Sequence, residues 1–206
     1  MRLHSVLREE NMSGFSKSYL DFVVEVANSL DTQHLDDIAD QLRALRDRSG
    51  RLFILGVGGS AANASHAVND FRKLARIEAY SPSDNVAELT ARINDEGWDR
   101  SYADWLVASN ITSKDALFVL SVGGGSVEKN VSMNLIKAVD LAKEKRSSVF
   151  GIVGRDGGYV AKEGNFVLTV QDPGGEVTTP ITESFQEVIW HLLVSSPKLK
   201  VNPTKW

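Results

Sequence analysis

Two short apolar runs, each broken by glycine and closed by serine, constrain this chain more than any other feature. Arg51–Val57 reads RLFILGV and passes into GGS; Ala116–Val122 reads ALFVLSV and passes into GGGS. A run that is apolar at nearly every position is a strand buried on both faces, as in a parallel sheet covered by helices on each side. Ser148–Val153 (SVFGIV) and Asn165–Val170 (NFVLTV) are two further runs of this kind. Between them the pattern turns helical: from Ala61 to about Arg76, from the GGGS loop to near Lys145, briefly at Tyr159–Lys162, and from Ile181 to Val194. Pro180 suits the start of that last helix, where its missing N–H is not needed. Strands alternating with helices predict an α/β protein with a doubly wound parallel sheet.

Two helices are predicted ahead of the first strand, within residues 14–49. Phe15, Tyr19, Phe22, Val23, Val26 and Leu30 recur at helical spacing, and a second amphipathic stretch runs from Leu35 to Arg48. Their apolar faces need a partner, either their own sheet or another subunit. Residues 1–13, with His4, are polar and predicted to fray; the tail, residues 196–206, is irregular, and Trp206 predicts that it packs. With 206 residues the chain suits one domain, 1–206. It has no cysteine, which excludes disulfides and thiol nucleophiles, suits a reducing cytoplasm, and leaves His and carboxylates as ligands for any transition metal. A net charge of −4 without a basic block argues against nucleic acid. No leader is seen, nor an apolar run of about 18 residues, so no membrane association is expected.

In a doubly wound sheet ligands bind beyond the carboxyl ends of the strands. The loops Gly56-Val57-Gly58-Gly59-Ser60 and Ser121-Val122-Gly123-Gly124-Gly125-Ser126 fall there. Glycine admits an anion close to the backbone, the following helix points N–H groups at it, and serine adds a donor. Two such loops favour phosphate over a pair of tight turns. A Walker loop is excluded for want of its lysine, and no acidic residue ends a second strand about 20 residues on, as a dinucleotide site requires.

Of the four histidines, His4 and His34 read as surface residues. His66 follows the first loop with Asp70 one turn later on the same face, a pair that can bind metal or move a proton but is common as a solvated pair. His191 lies four residues after Glu187 and eight after Glu183, within the apolar VIWHLLV; periodicity alone makes it a buried histidine.

Taken together, FILGVGGSAANASHAVNDF, INDEGWDRSY, FVLSVGGGS, VFGIVGRDGG and ITESFQEVIWHLL resemble the phosphoheptose isomerases, which act on sedoheptulose 7-phosphate and have the sugar isomerase (SIS) fold. The resemblance spans nearly the whole chain. It implies a flavodoxin-like three-layer α/β/α domain and an aldose–ketose isomerisation through an enediol. Asp70 and His191 match the family's acid/base pair. His66, Asp70, Glu183 and His191 match a zinc set found in some members. Gly58, Gly59, Ser60, Ser121, Gly124 and Ser126 would hold the sugar phosphate, with Asn94 and Asp95 at the sugar or assisting proton transfer. A homotetramer with sites between subunits is also implied.

The chain departs from the family pattern in several places. Val57 stands for an amide, Val122 and Gly123 for hydroxyl donors, Asp70 for Glu and Glu183 for Gln, and about seven extra residues fall near Glu128–Asn134. The register of the last helix is open between Glu183 with His191 and Thr182 with Trp190. Glu183 and His191 would be about 12 Å apart along a straight helix, which makes Glu187 the geometric rival. Two other readings remain: a non-catalytic SIS module that binds a sugar phosphate or a protein, and an isomerase for a five- or six-carbon sugar phosphate.

Overall fold

The computed structural model describes residues 14–172 and 174–204; His4 and Trp206, and the expected frayed start, lie outside them. Two helices, α1 (Phe15–Ser29) and α2 (Thr32–Asp47), precede β1 (Leu52–Leu55) and α3 (Gly59–Lys73). Then come β2 (Ala79–Tyr80), α4 (Val86–Glu96), α5 (Ser101–Ala108), β3 (Ala116–Ser121), α6 (Met133–Glu144), β4 (Ser148–Val153), α7 (Gly158–Glu163), β5 (Phe166–Thr169) and α8 (Thr178–Ser195). The five strands are parallel, in the order β2-β1-β3-β4-β5. The four predicted strands are present. The edge strand β2 and helices α4 and α5 lie where the sequence analysis predicts no element.

Alternate strand residues build two cores. Leu52, Ile54, Phe118, Leu120, Phe150, Ile152 and Leu168 face α1, α2, α3 and α8. Phe53, Leu55, Leu117, Val119, Val149 and Val153 face α5, α6 and α7. Burial on both faces is why these strands read as continuous apolar runs rather than as an alternation. The question of what the leading helices pack on divides between them. Helix α2 buries Leu35, Ile38, Ala39, Leu42 and Leu45 against its own sheet, whereas α1 buries Phe22 and Val26 and leaves Leu20 and Val24 exposed. His34 is not a free surface group: its Nε2 lies 3.2 Å from the Val167 carbonyl, tying α2 to β5. The tail also packs. Leu199 is buried, its carbonyl accepts from Arg46, and the Val201 and Asn202 amides donate to Leu74 O. No helix among the described residues is long and apolar enough to cross a membrane.

At the amino ends of the central pair, Asp115 sets the register in which Leu52 lies beside Ala116. Its carboxylate accepts from the Arg51 amide (2.9 Å), the Arg51 guanidinium (2.8 and 3.1 Å) and the Thr112 amide (2.8 Å) and hydroxyl (3.0 Å). Burial alone would push this carboxyl up; the Arg51 and Thr112 donors outweigh it and hold the carboxyl below its usual range. The ionised form is therefore favoured by folding. That stabilisation is present above the unfolded carboxylate pKa of about 3.9 and is lost as pH falls through the lower folded value. Asp115→Ala is expected to cost about 3 kcal/mol in urea unfolding at pH 7, because the guanidinium loses its partner. The variant should also lack this part of the wild type's acid sensitivity.

Candidate active site

The order of the sheet reverses between β1 and β3, and in such sheets the crevice at the reversal receives the ligand. The two glycine–serine loops follow these two strands. In the first, the Tyr102 hydroxyl donates to Gly56 O at 2.7 Å, and burial pushes the phenol up to about 12, so it remains a donor at neutral pH. Gly58 enters α3 at φ +64°, a value that favours glycine. Ser60 is buried, and its Oγ has no hydrogen-bond partner among the described residues. In the second loop Ser121 Oγ accepts from the Gly124 amide at 3.0 Å. A Cβ on Gly124 would come within 1.8 Å of the Gly157 carbonyl, so the approach of the two loops requires glycine here.

Ser126 does not open a helix, as the sequence suggested. It forms a bridge with Val131, both N–H···O distances being 3.0 Å, and its Oγ accepts from the Lys129 amide at 3.3 Å. Helix α6 starts only at Met133, so most of the extra residues form a closed loop ahead of the helix. This loop borders an open cleft of about 1010 Å³ that Gly123, Arg155 and Thr178 also line.

Helices α3 and α8 follow parallel strands and therefore run in the same direction, side by side. Asn63 clamps the approach by donating to Glu183 O (2.9 Å) and Gln186 Oε1 (3.1 Å). The pairing then steps along both helices together: Gly59 with Glu183, His66 with Glu187, Asp70 with His191. His66 Nδ1 is 3.6 Å from Glu187 Oε1, and His191 Nε2 is 3.7 Å from Asp70 Oδ2, ion-pair distances longer than hydrogen bonds. The histidine rings meet edge-on with centroids 5.3 Å apart. One ligand atom from each of His66, Asp70 and His191 lies within 4.8 Å of the others.

His191 is not the buried histidine that its apolar neighbours suggest. Its side chain is 42% exposed and that of His66 50%, while Asp70 is 14% exposed. Trp190 takes the interior position and packs edge-on to His66 with ring centroids 4.7 Å apart. Glu183 is not brought to this cluster. Its carboxylate rests on Gly59, where a Cβ would come within 2.4 Å of it. The helix is continuous through Glu183 and His191, so two turns keep them apart, and Glu187 is the acidic neighbour of His66. Asn94 and Asp95 are exposed near the end of α4 and bond to each other at 2.7 Å; this contact ties them to neither loop nor to the cluster.

Asn63 and Gln186 escaped the sequence reading, and Thr182 entered it only as the alternative register to Glu183. Thr182, Gln186 and Trp190 form one fully buried ridge of α8, and Thr182 Oγ1, Gln186 Nε2 and Trp190 Nε1 have no partner among the described residues. Polar side chains at i and i+4 in line with an aromatic at i+8 were the available signal, since polar groups on a buried ridge are costly unless they serve a purpose.

Glycine–serine loops stand at the switch point, with imidazole and carboxylate paired two or more turns along the flanking helices; the relatives give the class, a sugar-phosphate isomerase of the SIS fold. The phosphoheptose isomerase GmhA of Neisseria gonorrhoeae has this fold, with a TM-score of 0.76 over 90% of this chain and 97% of that one, at 23% identity. A phosphoheptose isomerase of Rhodospirillum rubrum is 30% identical over 149 residues, 70% of this chain and 73% of its own length. The chain belongs to the phosphoheptose isomerase family. The lincomycin biosynthesis protein LmbN of Streptomyces lincolnensis is 32% identical over 154 residues, and the match spans about half of that protein (54%). No family model matches the sequence.

Asn63→Ala removes both hydrogen bonds of the clamp and leaves Gln186 Oε1 without its partner, while Glu183 O keeps its helical bond. A loss of about 1–3 kcal/mol is expected in urea unfolding, together with lower activity because His66 and His191 lose their register.

Proposed function

We propose that this enzyme interconverts sedoheptulose 7-phosphate and D-glycero-D-manno-heptose 7-phosphate through an enediol. The observation that carries the reading is the approach of Asp70 and His191 from two separate helices, both of which start at the loop end of the sheet. The names of the family members support the seven-carbon substrate. His191 removes the proton from the carbon next to the carbonyl, its exposed imidazole having room to reach the sugar. The carbonyl oxygen takes up a proton from water as the enediol forms; His191 then returns its proton to the former carbonyl carbon, while the hydroxyl on the carbon it first deprotonated gives its proton to water and becomes the new carbonyl. Asp70, held against His191 on one oxygen and accepting from Asn69 Nδ2 (2.7 Å) on the other, steadies the imidazolium.

His66, Asp70 and His191 also fit zinc. Three donors within 4.8 Å of one another need small rotations to reach the bond lengths of about 2.0–2.2 Å, and a three-ligand set leaves a position open. Bound there, zinc would supply a Lewis acid for the developing oxyanion. Glu187 beside His66 Nδ1 would leave Nε2 to the metal. Half of this histidine face is open to water, and Val188 and Leu192 stand exposed next to it on α8. This supports a homotetramer in which a second subunit covers the site. The absence of cysteine supports a place in the cytoplasm.

Purified enzyme should convert the ketose phosphate to the aldose phosphate. His191→Ala and Asp70→Asn should each lower kcat by about 10²–10⁴-fold. Chelator should abolish turnover and zinc restore it, with metal content falling in His66→Ala. Turnover indifferent to chelator removes the metal from the reading. Turnover only of a five- or six-carbon sugar phosphate changes the substrate, and sugar-phosphate binding without any turnover overturns the reaction. In sedimentation at micromolar concentration the chain should run as a tetramer; a monomer with full activity would refute the shared site.

A further inference from the structure

Three cations line the cleft at the second glycine–serine loop: Lys129, Arg155 and Lys162. All three are exposed, and none forms an ion pair among the described residues. Two of the acids on the same rim are turned toward backbone: Asp156 accepts from the Gly158 amide at 3.2 Å, and Asp172 from the Gly174 amide at 2.8 Å and the Thr178 hydroxyl at 2.6 Å. Glu128 is the remaining acid. Arg155 lies within the Gly154–Gly157 turn after β4 with φ +53°, a conformation costly for a residue with a side chain and found where the surroundings impose it. Lys129 lies on the loop that the Ser126–Val131 bridge closes, within the extra residues.

Hydroxyl donors are scarce at the same place, because Val122 and Gly123 have none and Ser121 and Ser126 alone contribute. We propose that Lys129 and Arg155, with Lys162 beyond them, bind the phosphomonoester dianion of the substrate, supplying by charge what the loop lacks in hydroxyls. This rests on the sugar-phosphate reading above and adds to it the specificity-determining role of the inserted loop. Charge-assisted hydrogen bonds to phosphate are about twice as strong as neutral ones. Exposed cations are screened, with a Debye length of about 8 Å at 0.15 M salt. The site is therefore salt-sensitive, as a site built from hydroxyls and amides would not be.

Calorimetric titration with inorganic phosphate alone, at low and at physiological salt, tests this without turnover. Wild type should bind, and more weakly as salt rises. Lys129→Gln and Arg155→Asn should each weaken binding about 5–10-fold and flatten the salt dependence, with unchanged melting temperature. Lys137→Gln, the same charge change on the exposed side of α6 away from the cleft, should behave as wild type. In turnover the first two variants should raise KM and leave kcat unaltered. Equal phosphate affinity in wild type and variants, or no phosphate binding by wild type, overturns the proposal. Sugar-phosphate turnover measured on the same samples shows whether the isomerase reading falls with it or stands alone.

Discussion

The site exists because two helices that are far apart in sequence run in the same direction. Parallel strands force this: a helix leaving β1 and a helix leaving β5 start at the same end of the sheet and lie on the same face. A step of one turn on α3 is then matched by a step of one turn on α8. That is why His66 meets Glu187 and Asp70 meets His191 at nearly the same distance, 3.6 and 3.7 Å. The register depends on Asn63, which holds the α8 backbone at Glu183 and the side chain of Gln186. Loss of the amide would let the imidazoles slide.

The glycine loops depend on the same arrangement in a different way. They occupy the one place where the sheet reverses its order, so the first loop can meet α8 and the second can meet the start of α7. Glu183 lies on Gly59, and the Tyr159 and Val160 amides donate to Gly125 O and Gly124 O. An acid already sits against the first loop, whereas the second opens on the cleft where the unpaired cations gather.

Much of the fold was legible in the sequence, and the reason is burial. Strands covered on both faces are apolar at every position, so their runs stand out, and a glycine–serine sequence at the end of such a run marks the end of the strand where ligands bind. Ala79–Tyr80 could not be read, because two residues carry no period. Nor could the length of the second loop: SVGGGS predicts a helix directly after Ser126, and only the pairing of Ser126 with Val131 turns the next residues back on themselves. On the last helix the residue types were legible and their directions were not. Neighbouring residues differ by about 100° around a helix, so whether Trp190 or His191 faces the core turns on a rotation that an apolar stretch on both sides cannot specify. Choosing between Glu183 and Glu187 required knowing that α3 runs alongside, a tertiary fact absent from local pattern.

The exposure of the histidine face follows from these constraints. The helices that carry the cluster are packed on the sheet by their opposite ridges, with Trp190, Ile189 and Phe185 inside, so the side chains proposed as catalytic point away from the core. A fold that assembles a site on the outside of its helices leaves it in water unless something covers it. Proton transfer next to a carbonyl gains from a site that excludes water, where each charge interaction is stronger. Val188 and Leu192 on α8, one turn apart and exposed, provide an apolar margin around His191 for a covering subunit. The proposed tetramer would complete what parallel packing leaves open. The same packing that fixes the spacing of Asp70 and His191 leaves His191 exposed within a single subunit.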